Sequence, residues 1–135
     1  MSFAGINHLA VVIAALIGFV IGAIYYGALG SAWTKAAGLD PEKTKFSPGL
    51  FIISFVCELV MAYVLAGMIS DLGSGQLSVW HGIVAGFFVW LGFMATTMVV
   101  NHRYQGNGWD LTLIDTGHWL LVAIAMGAVI GAIGT

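Results

Sequence analysis

Four long apolar segments, separated by short polar links, make up most of this sequence. About 20 mostly apolar residues are needed for a helix to cross about 30 Å of hydrocarbon, and each segment reaches that length. The predicted spans cover residues 6–29, 48–70, 79–100 and 111–133. The pattern therefore predicts an all-α fold, a transmembrane four-helix bundle formed by one domain over residues 1–135.

Local signals support the ends of these spans. Ser47 followed by Pro48 is typical of an N-cap and a first helical position, where proline lacks only an N–H that would have no partner in the helix. We expect Asp110 to cap the fourth helix in the same way. The polar stretches 71–78 and 101–110 are rich in turn-forming residues. Helices two, three and four are therefore expected to be antiparallel to their neighbours.

The link between the first two spans, residues 30–47, is longer than the others. Trp33 and Phe46 lie near its ends, and Asp40 with Pro41 predicts a capped turn between them. Aromatic side chains favour the boundary between membrane and water. We therefore expect this link to contain a short amphipathic piece that lies at the interface.

Composition agrees with a membrane protein and excludes other classes. The chain is 60% hydrophobic and 7% charged, with a mean hydropathy of +1.00, whereas soluble domains carry about 25% charged residues. Its single cysteine, Cys57, allows no disulfide within one chain and no cysteine-based metal motif. A formal net charge of −2 with four basic residues leaves no surface suited to nucleic acid.

The basic residues are distributed unevenly among the links. They all fall in the first and third links: Lys35, Lys43, Lys45 and Arg103. By the positive-inside rule, links 30–47 and 101–110 face the cytoplasm. Both termini are then expected on the outer side of a bacterial inner membrane.

Small residues recur at four-residue spacing in three of the four spans. Each set forms a stripe of small residues along one face of its helix. The first stripe is Ala14, Gly18 and Gly22, the stripe of the third span is Gly82 and Gly86, and that of the fourth is Ala123, Gly127 and Gly131. Helices in lipid associate by close packing at such residues, because lipid tails are as apolar as leucine. The stripes either pack the four helices within one chain or leave one face for a homo-oligomer.

Ionisable residues at membrane depth are the main candidates for function. A charged group there costs at least about 2.5 kcal/mol, so it usually faces protein or a water-filled cavity. A rise of about 1.5 Å per residue places Glu58 near the midplane, with Asp115 and His118 closer to the cytoplasmic edge. The latter two share a helix face at i and i+3.

These residues predict a polar ladder across the bundle. From cytoplasm to exterior its order is Asp115, His118, Glu58, Tyr63, and then His8 paired with His81. Such a succession can carry protons or cations. Equally, it can be a buried network that only fixes the register of the helices.

Metal and lipid sites are further possibilities. Ligands for a metal could come from Asp115, His118 and Glu58, or from the histidine pair. No spacing within one helix matches a metal motif, however, so no metal or other cofactor is predicted. A lipid phosphate could contact three polar residues at the cytoplasmic end of helix three, unless Arg103 only anchors the helix. They are Asn101, His102 and Arg103.

The tryptophans are expected to divide into two groups. Four are predicted to belong to the aromatic belts at the membrane surfaces: Trp33, Trp80, Trp109 and Trp119. Trp90 falls near mid-depth, so we expect it to pack inside the bundle or across an oligomer interface.

Several stretches resemble one known family. They are "NHLAVVIAALIGFVIGAIYYG", "VMAYVLAGMI", "GIVAGFFVWLGFMATTMVVN" and "LTLIDTGHWLLVAIAMGAVIGAI". Together, and above all through Asn7 and the step from Trp90 to Phe93, they resemble the bacterial membrane-protein family of domains of unknown function numbered 1761. The resemblance covers nearly the whole chain. It implies a four-helix integral membrane protein without an assigned activity, so no functional residue is carried over.

Two classes of function fit these observations, and neither is enzymatic. The sequence has no nucleophile elbow, phosphate-binding loop or zinc-peptidase motif. We expect a non-catalytic packing module in the lipid bilayer that self-associates or joins a larger membrane complex. The alternative is an oligomeric channel or transporter-like protein for protons, cations or a small solute, with Glu58 at its centre.

A topology reporter tests the predicted orientation. Alkaline phosphatase is active only outside the cytoplasm, so its fusion to Thr135 should be active and its fusion to Asp40, in the first link, should be inactive. Enzyme activity normalised to the amount of fusion protein is the measurement. The reverse pattern of activity would contradict the orientation.

Overall fold

Four helices form the described part of the chain. The computed structural model describes residues 5–40, 42, 47–71 and 77–135. The helices are α1 (His8–Ala36), α2 (Pro48–Ser70), α3 (Val79–Tyr104) and α4 (Trp109–Ile133). Each is long and apolar enough to cross a membrane. The prediction of an all-α protein with four membrane-spanning helices is confirmed, and the described residues include no strand.

The first helix continues beyond its predicted end at residue 29. It ends at Ala36, where Gly38 adopts a left-handed φ of +65°. The N–H groups of Gly38 and Leu39 donate to the carbonyls of Lys35 and Thr34, which is the usual way a glycine closes a helix. Residues 30–36 therefore continue α1 and do not form a separate piece, and their location at the membrane interface stays a prediction.

The rest of the first link agrees with the prediction where it is described. The Asp40 side chain accepts a hydrogen bond from the N–H of Glu42, so a turn begins there as expected. The predicted roles of Pro41 and Phe46 lie outside the described residues.

Helix α3 also runs further than predicted and contains an irregular stretch. It continues to Tyr104 instead of residue 100, and residues Trp90–Ala95 form a π-helical segment. Gly106, with φ of +76°, closes the helix. The third link is therefore shorter than the predicted 101–110, and α4 begins at Trp109.

Two of the predicted caps differ from the structure. Gly108 occupies the N-cap position of α4, and Asp110 lies in the first turn, where its carboxylate accepts from the N–H of Leu111. Ser47 occupies the N-cap position of α2, but its side chain makes no capping bond. Ser78 does cap α3, since its hydroxyl accepts from the N–H of His81.

Helix α4 is the centre of the bundle and packs against both α1 and α3. The contact with α3 is antiparallel, because Gly82 lies opposite Gly127 and Gly86 lies opposite Ala123. Helices α1 and α2 are antiparallel too, with His8 beside Tyr63 and Phe19 beside Phe51. Helices α1 and α4 are antiparallel as well, with Tyr26 beside Asp115 and Gly18 beside Met126, so the start of α1 and the end of α4 lie at the same end of the bundle.

The glycines of α3 and α4 bring the two backbones together. A methyl group on Gly82 would collide with the carbonyl of Gly127, and one on Gly86 would collide with the carbonyl of Ala123. Gly131 meets the carbonyl of Ser78 in the same way. These two stripes are thus used inside the chain, where close backbone approach supplies the contact that hydrophobicity cannot supply in lipid.

The stripe on α1 has a different role, because side chains occupy the space beside its glycines. A Cβ on Gly18 would lie 2.7 Å from Oε2 of Glu58 and 2.6 Å from the terminal methyl of Met126. A Cβ on Gly22 would lie 3.0 Å from Nε2 of His118. The two glycines therefore form a notch that receives two of the polar residues of the predicted ladder.

Substitution of Gly86 by alanine should destabilise the bundle. The new methyl group meets backbone, which cannot rotate away, so we expect a cost of about 1–3 kcal/mol. Gly27→Ala is the control, because no atom lies within 4 Å of its added Cβ and alanine favours a helix by up to about 1 kcal/mol. Thermal unfolding in detergent measures both. Equal midpoints for the two variants would contradict the close α3–α4 contact.

Candidate functional site

Asp115 lies at the end of the bundle that carries the third link, and it is well supplied with donors. Its Oδ1 accepts hydrogen bonds from the hydroxyl of Tyr26 at 2.8 Å and from Nε1 of Trp33 at 3.0 Å. Its Oδ2 is 3.7 Å from Nε2 of His102. Three residues from two other helices thus surround one carboxylate and orient it.

His102 and Arg103 connect the end of α3 to the start of α4. Nδ1 of His102 lies 3.1 Å from the hydroxyl of Thr112, and Arg103 donates to the same hydroxyl and to the carbonyl of Gly108, each at 2.8 Å. The Arg103 guanidinium also lies 4.1 Å above the Trp109 ring. These contacts turn both residues toward the link, which leaves Asn101 as the exposed member of the predicted lipid-phosphate group.

His118 is buried one helical turn further into the membrane. The residue is 4% exposed, and three aromatic rings surround its imidazole, with centroids at 4.8 Å for Tyr26, 5.6 Å for Tyr25 and 4.7 Å for Trp119. Among the described residues neither ring nitrogen finds a hydrogen-bond partner. A buried imidazole is therefore held by packing alone.

Glu58 faces the interior of the bundle and not the acyl chains. Only 3% of the residue is exposed, and it lies against Gly18 with Met126 and Val122 beside the same glycine. Its Oε2 is buried and has no hydrogen-bond partner in the part of the chain that the structure describes. Glu58 is thus the second buried ionisable residue with an unpartnered polar atom.

Helix α1 sets the spacing of these groups. Asp115 contacts Tyr26, His118 lies at Gly22 and Glu58 lies at Gly18. These three positions on α1 are four residues apart, so successive groups are separated by about 6 Å along the helix axis. The structure thus arranges an acid, an imidazole and a second acid along one helix, from the end of the bundle toward its middle.

Comparison with known proteins identifies the family of the chain. Residues 9–131 match the family described as "Protein of unknown function (DUF1761)". The chain belongs to this family. No curated protein and no solved structure matches it. The resemblance predicted from the sequence is confirmed, and the function of this DUF1761 protein has to be inferred from its own geometry.

The outer part of the predicted ladder is separated from Glu58 in the DUF1761 bundle. A layer of fully buried alanines lies between the levels of Glu58 and Tyr63: Ala10, Ala14 and Ala15 on α1 and Ala62 on α2. Beyond it, the ring of His8 stacks on Tyr63 with centroids 6.2 Å apart. The polar groups therefore follow one another at four-residue steps of α1 from Glu58 to Asp115, whereas alanines interrupt the series toward His8.

His8 and His81 have different neighbours instead of forming the predicted pair. Nδ1 of His81 lies 2.8 Å from the hydroxyl of Ser78, whereas His8 stacks on Tyr63. The two histidines belong to α1 and α3, which each pack mainly against α4. Equal depth in the membrane therefore does not bring them together. No group of three metal-ligating side chains of the His, Cys, Asp or Glu type occurs among the described residues.

Sequence reasoning missed two donors to Asp115. Tyr26 was not singled out, and Trp33 was assigned to an aromatic belt. Their separation of seven residues is two helical turns, which places both on one face of α1. That spacing is the signal that could have identified them. Trp90, by contrast, packs inside as expected, with Nε1 donating to the carbonyl of Thr116 at 2.8 Å.

Tyr26→Phe tests the support of Asp115. The variant removes one hydrogen bond to a carboxylate, and such bonds contribute about 1.5–3 kcal/mol. Tyr104→Phe removes the same hydroxyl from a side chain that is 90% exposed, where surface changes are usually within about 0.5 kcal/mol. Thermal unfolding of the two variants in detergent should show a lower midpoint for Tyr26→Phe alone. A midpoint equal to that of Tyr104→Phe would contradict the assignment.

Proposed function

We propose that this DUF1761 protein is a membrane-embedded proton-transfer protein. Glu58 takes up and releases a proton, and His118 and Asp115 connect it to one side of the membrane. The observation that carries the proposal is the pair of deeply buried ionisable side chains, Glu58 and His118. Oε2 of Glu58 and both ring nitrogens of His118 lack hydrogen-bond partners among the described residues.

The energetic cost of these groups argues for a function. An unpaired buried polar atom costs about 1–3 kcal/mol, and native proteins contain few of them. The fold nevertheless makes room for both side chains, since Gly18 and Gly22 leave the space that they occupy. A purely structural network would gain from internal pairing, which these atoms do not have in the described part of the chain.

The chemistry of the line fits proton exchange. Carboxyl and imidazole groups can each bind and release a proton, and imidazole does so near neutral pH. The hydroxyl of Tyr26 donates to Asp115 while its ring contacts His118, so it adjoins both groups. Steps of about 6 Å along α1 are short enough for one bridging water between successive groups.

A proton suits the line better than a hard metal cation. Calcium binds six to eight oxygen ligands and magnesium binds six. Glu58 and Asp115 supply the carboxylates of the line, and Oδ1 of Asp115 is already engaged by Tyr26 and Trp33. The two acids also lie about two helical turns, or about 12 Å, apart along α1, from the contact at Tyr26 to the contact at Gly18, so they do not converge on one ion.

Access to Glu58 is one-sided in this arrangement. The line reaches the end of the bundle at Asp115, while the alanine layer closes the way toward Tyr63. We further propose that the protein resides in a bacterial inner membrane with the Asp115 end at the cytoplasm. Glu58 would then exchange protons with the cytoplasm in this conformation, and transport across the membrane would require the alanine layer to open.

Self-association is a second candidate, and the exposure of α3 supports it. Its buried residues are Gly82, Gly86 and Ala95 alone. Phe88 and Phe93 project from the helix with 62% and 70% exposure. We propose that α3, and not the glycine stripes used inside the chain, is the face available to a second copy or to a larger membrane complex.

Proton flux into liposomes tests the role of Glu58. The full chain, reconstituted with a pH-sensitive dye inside and driven by a potassium diffusion potential, should admit protons faster than empty liposomes. Glu58→Gln keeps the size of the side chain but cannot exchange a proton, so we expect the flux to fall at least tenfold. Glu42→Gln makes the same change at an exposed position outside the helices and should leave the flux unchanged.

Thermal unfolding of the same preparations establishes that the variants are folded. A wild-type flux equal to that of empty liposomes would refute proton transfer. So would a folded Glu58→Gln variant with the wild-type flux.

A further inference from the structure

We propose that a crevice between α2 and α3 binds a soft monovalent metal cation, Cu(I) or Ag(I). The crevice has a volume of about 200 Å³. It is lined by Met61 from α2, by Phe93, Met94, Thr97 and Met98 from α3, and by Trp119 from α4. The proposal is independent of the proton line, because none of the proposed ligands belongs to it.

Three methionine side chains line the same hollow. Met94 and Met98 are i and i+4 on α3, so they lie on the same face of that helix. Met61 approaches the crevice from the neighbouring helix α2. Methionine sulfur is a soft donor and favours Cu(I) over hard cations. Three such donors from two helices are a suitable ligand set for an ion of low coordination number.

The other lining groups disfavour hard or doubly charged ions. Of the described residues that line the crevice, Thr97 alone carries a side-chain oxygen, and its hydroxyl donates to the carbonyl of Phe93. Mg²⁺ and Ca²⁺ require several oxygen ligands. Among the described residues, no carboxylate lines the crevice to balance a second charge at membrane depth. The faces of Trp119 and Phe93 can stabilise a single positive charge through cation–π contact.

The local backbone is unusual where the crevice forms. The π-helical segment of α3, Trp90–Ala95, contains Met94 and ends one residue later. Single π turns within α-helices occur frequently at functional sites, since they change the direction of the side chains around them. The irregular segment and the methionine cluster thus coincide on the same part of α3.

A second hollow lies next to the crevice, toward the end of α3. It is lined by Thr96, Thr97, Val100 and Asn101, and it shares Thr97 with the methionine crevice. Asn101 lies in the last turn of α3, close to the end of the bundle. Polar side chains therefore lie between the methionine crevice and the end of the bundle.

Competition for Cu(I) tests the site. The full chain in detergent, with Cys57→Ser in every sample so that no thiol binds the metal, is titrated against a coloured Cu(I) chelator under reducing conditions. We expect one Cu(I) per chain. Met94→Leu combined with Met98→Leu should weaken binding at least tenfold, while X-ray absorption of the unsubstituted site should show sulfur ligands.

Met68→Leu is the matched control, because Met68 lies on α2 but does not line the crevice. Exchange of Met for Leu conserves volume and usually costs less than about 1.5 kcal/mol, so the variants should stay folded. Thermal unfolding checks this. The proposal is wrong if the Met94 and Met98 variant keeps its affinity, if Met68→Leu weakens binding equally, or if the chain does not compete for Cu(I).

Discussion

The cost of placing a carboxyl group in hydrocarbon is the constraint on which this bundle depends. Glu58 lies near the middle of α2, a helix whose other faces are almost entirely apolar. Its side chain can avoid the acyl chains only by turning toward another helix that has room for it. Gly18 of α1 provides that room, and Gly22 provides it for His118 one turn away. The α1 glycines are therefore as much a part of the site as the ionisable residues.

The same bundle shows two uses of a small-residue stripe. Between α3 and α4 the missing Cβ atoms let backbone meet backbone at Gly82 and Gly127. On α1 they let polar side chains lie against the helix. In lipid the hydrophobic effect does not drive helices together, so both contacts depend on close packing of complementary surfaces. Identical spacing in the sequence therefore encodes either a helix contact or a pocket, and only the neighbouring helix decides which.

The architecture was largely predictable from the sequence, and the errors have a physical pattern. The predicted bounds of α2, residues 48–70, agree with the structure, because a proline and a polar residue mark its two ends. Helices α1 and α3 were predicted too short. The length of an apolar segment indicates only how much of the helix lies in the hydrocarbon layer, and a helix can continue beyond that layer. Their true ends coincide with left-handed glycines, Gly38 and Gly106. Glycine in a polar link is thus the better signal for the end of a long spanning helix.

The candidate site was predictable to the extent that depth alone defines it. Glu58, His118 and Asp115 could be placed in order because the rise of a helix converts residue number into depth. Depth carries no information about which helices touch, so the proposed contact between His8 and His81 failed. Depth also does not distinguish a tryptophan at the membrane interface from one whose N–H donates a hydrogen bond to an acid within the bundle. Trp33 and Asp115 lie at one depth, and only the α1–α4 contact shows that they are partners.

Helix α4 connects the two proposed sites. His118 and Trp119 are consecutive on it, and an α-helix turns about 100° per residue, so their side chains leave α4 in different directions. His118 faces α1 and the proton line, whereas Trp119 faces the crevice between α2 and α3. Their rings still touch, with centroids 4.7 Å apart. A ligand that moved Trp119 would repack a ring that has no hydrogen bond to hold it among the described residues. The geometry thus provides a direct contact through which occupancy of the crevice can change the environment of His118.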